Sequence, residues 1–207
     1  MIRNIFLLTF LLISVIVSAQ RQFQGGLVVG GATTQVSGDG LGGWDKFGVV
    51  AGGWVSMPIH ADWSIQLGMN YINKGSKTKR DTINFQSFGY YLNYVDVPIL
   101  IQRHLTLRSK FQAEIALGPY AGFLLNQKIK SNGVDREVTP PFERYDIGLN
   151  ATFQLWWSSK IFTSLAFTTS VLPTRPNPSS VNPGSYYEKG TYNQTIQFCL
   201  GKKFGGD

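Results

Sequence analysis

Few residues in this sequence are equipped for acid–base, nucleophilic or metal chemistry. There are two histidines, His60 and His104, and one cysteine, Cys199. A serine nucleophile would need an imidazole within hydrogen-bond reach. Both histidines fall in stretches that read as short turns, 57–62 and 103–109, and so as solvated residues. So few Cys and His exclude a disulfide framework and a Cys/His zinc site. Cys199 reads as a small, inert, inward residue. No catalytic residue, metal site or cofactor is expected.

The carboxylates Asp96, Glu114 and Asp146 stand in consecutive strand-like stretches, at the same parity as Gly, Ser, Asn, Thr and Gln neighbours. A carboxylate pair can act as general acid and base. Inside a barrel the expected role is pairing with Lys or Arg, because unpaired charge is costly away from water. Lys74, Lys128, Arg144 and Lys203 have the parity to be those partners. A second cationic group, Lys74, Lys77, Lys79 and Arg80 beside Asp81, reads as a loop that could meet lipopolysaccharide phosphates. Gly38, Gly40, Gly42 and Gly43 resemble a phosphate cradle only superficially, since no Lys-Ser/Thr or helix follows. Pro173, Pro176, Pro178 and Pro183 stiffen the stretch 173–190, a candidate docking surface.

These residues need elements to position them. Charged residues make up only 15% of the 207 residues and aromatics 14%. An average soluble domain is about 25% charged. Disorder needs few aromatics and high net charge, so it is excluded. The net charge of +7 raises nucleic acid as a partner. The N-terminus argues against it. Arg3 precedes an apolar run, Ile5 to Val17, broken only by Thr9 and Ser14; small Val17-Ser18-Ala19 and polar Gln20 follow. This reads as a secretory signal peptide over 1–19, leaving a mature domain over 20–207 with a charge of +6. The run is short for a membrane helix, which needs about 20 residues. An exported protein is not expected to meet nucleic acid.

The dominant period in the mature chain is two. Trp63, Ile65, Leu67, Met69 and Tyr71 alternate with Ser64, Gln66, Gly68 and Asn70. Tyr145, Ile147, Leu149, Ala151, Phe153, Leu155 and Trp157 alternate with Asp146, Gly148, Asn150, Thr152 and Gln154. Such alternation means strands with one apolar and one polar face. Eight strands are predicted: 22–36, 45–56, 63–74, 90–102, 110–125, 144–157, 161–172 and 191–204. Their connections alternate long and short, as in an outer-membrane barrel with long outward loops and short periplasmic turns. The expected fold is all-β, an eight-stranded antiparallel up-and-down transmembrane β-barrel. A soluble secreted barrel binding an apolar ligand would alternate too. Charge placement favours the membrane, because most charged residues lie between strands or near strand ends. Trp63, Tyr71, Phe111, Tyr145, Trp157 and Tyr192 also sit near strand ends, where aromatic girdles anchor a barrel in lipid. Eight strands enclose an interior that side chains fill. Pro98 and Pro119 each lack a ladder donor, so bulges or ladder breaks are expected there.

Three segments carry a family resemblance: Tyr71-Ile72-Asn73-Lys74-Gly75, Tyr94-Val95-Asp96-Val97-Pro98-Ile99-Leu100 and Leu117-Gly118-Pro119-Tyr120-Ala121-Gly122. With the Ala19-Gln20 junction, they make the chain resemble the PorT-type outer-membrane β-barrel family of Bacteroidota. The resemblance implies an outer-membrane location and an eight-stranded meander. The founding branch of that family belongs to a protein secretion and gliding apparatus. A departure is the C-terminus, where Phe204 is followed by Gly205-Gly206-Asp207 rather than ending the chain. The expected role is non-enzymatic: structural, adhesive, or part of an envelope complex, among outer-membrane lipid, lipopolysaccharide and envelope proteins. Small-solute passage is the alternative within the membrane reading.

Overall fold

The computed structural model describes residues 23–41, 43–78, 87–107, 111–176 and 190–204. The proposed signal peptide lies outside them. Nine strands follow in chain order: β1 (Gln24–Ser37), β2 (Lys46–His60), β3 (Trp63–Lys77), β4 (Phe88–Leu107), β5 (Phe111–Ser131), β6 (Val134–Arg136), β7 (Tyr145–Trp156), β8 (Ile161–Ser170) and β9 (Tyr192–Phe204). Every main strand pairs antiparallel with its neighbours, and β1 pairs with β9 from Gly25↔Phe204 to Ser37↔Tyr192. The sheet therefore closes on itself, so each of the eight wall strands has a paired neighbour on both sides. Eight strands form the wall. The short β6 extends the sheet beyond β5 as a hairpin through Asn132 and Gly133, both at positive φ.

The alternation runs apolar outward and polar inward. On β7, Asp146, Asn150, Thr152 and Gln154 are buried, while Tyr145, Ile147, Leu149 and Phe153 are exposed. Val29, Val55, Leu67, Ile101, Leu117 (60% exposed), Leu165 and Leu200 continue the apolar band around the wall. Water would not tolerate a belt of this extent, and a soluble barrel would hold its apolar face inside. Trp63, Trp157 and Phe204 stand at one rim of the belt, Tyr145 and Phe123 at the other. Tyr192 does not join the girdle: it is 2% exposed, enclosed with Thr191 and Asn193 where the segment after β8 returns through Arg175↔Thr191. The side chain of Phe111 lies outside the described residues.

Four strands, β2 to β5, are longer than the sequence predicts, while β1, β7, β8 and β9 are one to two residues shorter. β2 runs on to His60 and β4 to Leu107, so His104 sits in a strand rather than a turn, while His60 is exposed at a strand end beside the turn at 61–62. Both prolines fall at ladder gaps. The β3–β4 pairing skips from Leu67↔Ile99 to Asn70↔Asp96, and β4–β5 skips from Pro98↔Tyr120 to Ile101↔Leu117. The register is preserved across each gap. A true bulge occurs higher up, where Asn93 pairs with Asn126 but Tyr94 with Leu124, leaving Leu125 as the extra residue. It reverses the parity of β5 from there on.

Candidate functional site

The side chains that could carry chemistry fill the lumen in layers. In the middle layer, Lys74 of β3 reaches Asp96 of β4 at 2.8 Å and Asp146 of β7 at 2.9 Å. The ammonium is fully enclosed (0% exposed) and lies over the rings of Tyr120 (4.5 Å) and Tyr94 (4.8 Å). Asp146 also accepts hydrogen bonds from Ser170 Oγ (2.7 Å), Asn193 Nδ2 (3.0 Å) and Tyr120 OH (3.1 Å). Gly122 stands between the two carboxylates in the register, Asp96↔Gly122↔Asp146. A Cβ there would lie 2.6 Å from Asp96 Oδ1, so only glycine leaves room for the cluster.

Several sequence expectations need correction here. Lys74 is not a loop cation: it is withdrawn from the surface because β3 extends to Lys77 and turns its side chain inward. Lys77 is exposed at the end of β3, and Lys79 and Arg80 lie outside the described residues. Lys128 is not a lumen partner. The bulge at Leu125 turns it outward, where it meets Asp135 at 3.4 Å. Arg144 is exposed, and Lys203 lies 5.8 Å over the Trp156 ring rather than beside a carboxylate. Ser170 and Asn193 were missed as ligands of Asp146. Their inward parity was legible, but their height opposite β7 was not.

Glu114 belongs to a separate layer near the short-turn end. Its Oε1 meets His104 Nδ1 at 2.9 Å, and His104 Nε2 meets Ser64 Oγ at 3.2 Å. On paper this is a Ser-His-Glu relay. Proton directions argue otherwise. Gln102 Nε2 donates to Gln66 Oε1 (2.8 Å) and Glu114 Oε2 (3.2 Å), which leaves Gln102 Oε1 to accept from Ser64 (3.1 Å). With its proton given to Gln102, Ser64 can only accept from His104 Nε2. A general base must accept the serine proton, and here the relation is reversed. Ser64 is also only 1% exposed. The arrangement ties three strands together across the mouth.

Towards the same short-turn end Trp54, Trp156 and Phe162 pack together, with the Phe162 centroid 4.5 Å from Trp156 and 6.0 Å from Trp54. An internal cavity of about 40 Å³ remains, lined by residues such as Asn70, Gln154 and Cys199. That is room for isolated water, not a pore. Cys199 is a buried free thiol. Among the described residues no group of three His, Cys, Asp or Glu side chains could hold a metal ion.

The outer mouth is capped by Arg175, whose guanidinium donates to Tyr90 OH and Thr139 O at 2.9 Å each and lies over the Phe142 ring at 5.4 Å. The sequence contained no signal for this cap, since Arg175 lies beyond the last residue of β8. In the first outer loop Asp39 accepts from the Leu41 amide at 2.8 Å. Burial pushes its carboxyl up to about 6, against the smaller opposing pull of hydrogen bonds and the Arg175 charge. The folded loop then holds more protons than the unfolded chain between about pH 4 and 6. Its stabilisation is present at low pH and fades as pH rises through 6. Hydrogen exchange at Leu41 should accelerate over that window beyond the intrinsic rate, and Asp39→Asn should abolish the excess.

Residues 18–173 match the family described as outer membrane protein beta-barrel domain. No curated protein sequence matches the chain. Among solved structures, Ail of Yersinia pestis, in complex with the heparin analogue sucrose octasulfate, is 14% identical, with a TM-score of 0.49, covering 88% of this chain and 99% of its own. Neisserial surface protein A is 11% identical, with a TM-score of 0.48 and coverages of 88% and 97%. OprG from Pseudomonas aeruginosa is 14% identical, with a TM-score of 0.45 and coverages of 89% and 95%. An outward apolar belt, an inward polar lumen and a family match over most of its length lead to one conclusion: the chain belongs to the outer membrane protein beta-barrel domain family and is an outer-membrane protein.

Proposed function

We propose that this barrel is a non-enzymatic, non-conducting protein that works through its outer rim, as an adhesive surface or as one member of an envelope complex. The observation that carries the reading is the filled lumen: the Arg175 cap at the outer mouth, the Lys74 cluster below it, and the Trp54–Phe162–Trp156 and His104–Glu114 groups towards the short-turn end. An interior so occupied offers no passage, so selection acts on what the barrel presents outside. Residues 124–131 of β5 continue past Tyr145, where β7 begins, and pair with β4 and β6. At about 3.4 Å per residue this ribbon stands some 25 Å beyond the β7 edge. Such a rigid projection suits a partner surface better than a flexible loop does. The resemblance to the PorT-type family is compatible with a place beside a secretion apparatus.

Two measurements test this. Planar-bilayer recordings should show no conductance above background, and discrete channel openings would overturn the non-conducting reading. Crosslinking through a photoreactive residue placed at Val134 should capture a defined envelope protein. Capture of lipid alone would leave a solitary barrel.

A further inference from the structure

Backbone pairing is missing at the long-loop end of the β2–β3 seam. The β2–β3 ladder ends at Val50↔Ile72, although β2 begins at Lys46 and β3 continues to Lys77. Side chains bridge the seam instead. Asn73 Oδ1 accepts from the Val49 amide at 3.2 Å, and Asn73 O accepts from Lys46 Nζ at 3.0 Å. Asn73 Nδ2 donates to Asn93 Oδ1 at 2.7 Å and to Tyr71 OH at 2.8 Å. Lys46 is only 3% exposed, and among the described residues no carboxylate lies within ion-pair distance of it. A buried cation without a counter-charge is costly.

Beside the seam lies a recess of about 540 Å³ on the outer face of the wall. Lys46 forms part of its lining, and Lys128 and Lys130 stand on its opposite side, both turned outward by the bulge at Leu125. The Tyr91 ring lies between them, 5.7 Å from the ammonium groups of Lys46 and of Lys130. Asp135 is the one carboxylate in ion-pair contact with these lysines among the described residues, 3.4 Å from Lys128 and 3.7 Å from Lys130, so the three lysines and Asp135 together carry about +2. Asn73, Asn93 and Asn126 supply amides. Directly below, Phe47 (83% exposed), Val49, Met69 and Leu125 begin the apolar belt. The recess thus sits where headgroups meet acyl chains on the long-loop side.

We propose that this recess binds the phosphorylated sugar headgroup of an outer-leaflet glycolipid, with Lys46, Lys128 and Lys130 on phosphate. The Asn side chains meet the sugar hydroxyls and the Tyr91 ring packs on the sugar face. The acyl chains run down over Phe47 and Leu125. Charge complementarity selects an anion, the amides and aromatic ring select a sugar over a plain phosphodiester, and the continuous apolar belt selects a lipid over free phosphate. The proposal rests on the outer-membrane placement and is independent of the adhesive or complex-forming reading above. It also moves lipopolysaccharide contact away from Lys74, which is buried, to residues on β2, β4 and β5.

The test uses the protein refolded in phosphatidylcholine nanodiscs doped with bis-phosphorylated lipid A, and reads retained lipid by native mass spectrometry. The wild type should retain lipid A, and Lys128→Gln/Lys130→Gln should lower retention at least tenfold with heat-modifiability unchanged. Lys202→Gln/Lys203→Gln, at the opposite rim, should leave retention intact. Millimolar inorganic phosphate should not compete. Equal retention by the Lys128/Lys130 variant would overturn the site. Equal retention of phosphatidylglycerol would reduce it to general anionic attraction and overturn the glycolipid assignment. Equal retention of dephosphorylated lipid A would overturn the phosphate contact. Failure of the outer-membrane placement itself would show differently, as a barrel that stays folded and monomeric in buffer without detergent.

Discussion

Exchanging Lys74 for methionine should lower the unfolding free energy of the barrel by about 3–5 kcal/mol, the usual cost of leaving a buried charge without its partner. Methionine keeps an unbranched side chain one atom shorter than lysine, so the loss reports mainly the charge. Asp96 and Asp146 would then face each other across Gly122 with no cation between them. Asp146 would keep the donors Ser170, Asn193 and Tyr120, whereas Asp96 would lose the 2.8 Å contact that neutralises it. The companion variant Lys74→Met/Asp96→Asn/Asp146→Asn should recover most of the loss, because a neutral set no longer requires compensation. Urea titration of the protein in lipid vesicles, read by the gel shift between folded and unfolded forms, measures both. If Lys74→Met alone costs under 1 kcal/mol, the cluster contributes little to closure of the lumen.

Leu117→Arg should destabilise the barrel in a bilayer by about 2–4 kcal/mol, the depth-dependent cost of arginine on the lipid face near the midplane. Leu117 is exposed and pairs with Ala151, midway along β7 between Tyr145 and Trp157 at the two rims. In lipid it has no water to turn to. The same substitution on a soluble barrel would put a charge into water, with an effect within about 0.5 kcal/mol. The experiment therefore separates the two environments that period-two alternation alone allows. Asn126→Arg, at the outer headgroup level, should cost at most about 1 kcal/mol by the same depth rule. Vesicle-based unfolding of the three proteins gives the gradient directly, and a flat response with depth would contradict the orientation of the belt.

Much of the architecture was legible because a strand in a one-layer barrel obeys a simple rule. Each residue faces either lipid or lumen, so apolar and polar residues must alternate, as Ile147, Leu149 and Phe153 do with Asp146, Asn150 and Gln154. Strand ends were less legible. Lys74-Gly75-Ser76-Lys77 is polar on both faces, yet it continues β3 because its neighbours on β4 supply ladder partners as far as Gly89. His104 was misplaced in a turn for the same reason: polar residues end an apolar pattern without ending the strand. The cap by Arg175 left no trace, since it depends on a loop folding back over Tyr90 and Phe142.

The sequence by itself determined the membrane barrel, its outward belt and the inward parity of Asp96, Glu114, Asp146 and Lys74. Those properties follow from a period of two, which is local and survives any change of neighbours. Only the tertiary structure decided which inward groups meet. Lys74 serves Asp96 and Asp146, Glu114 turns to His104, and Lys128 leaves the lumen altogether. The physical reason is register. Contacts across a closed barrel depend on the height at which each strand enters, and one bulged residue, Leu125, reverses every face that follows it.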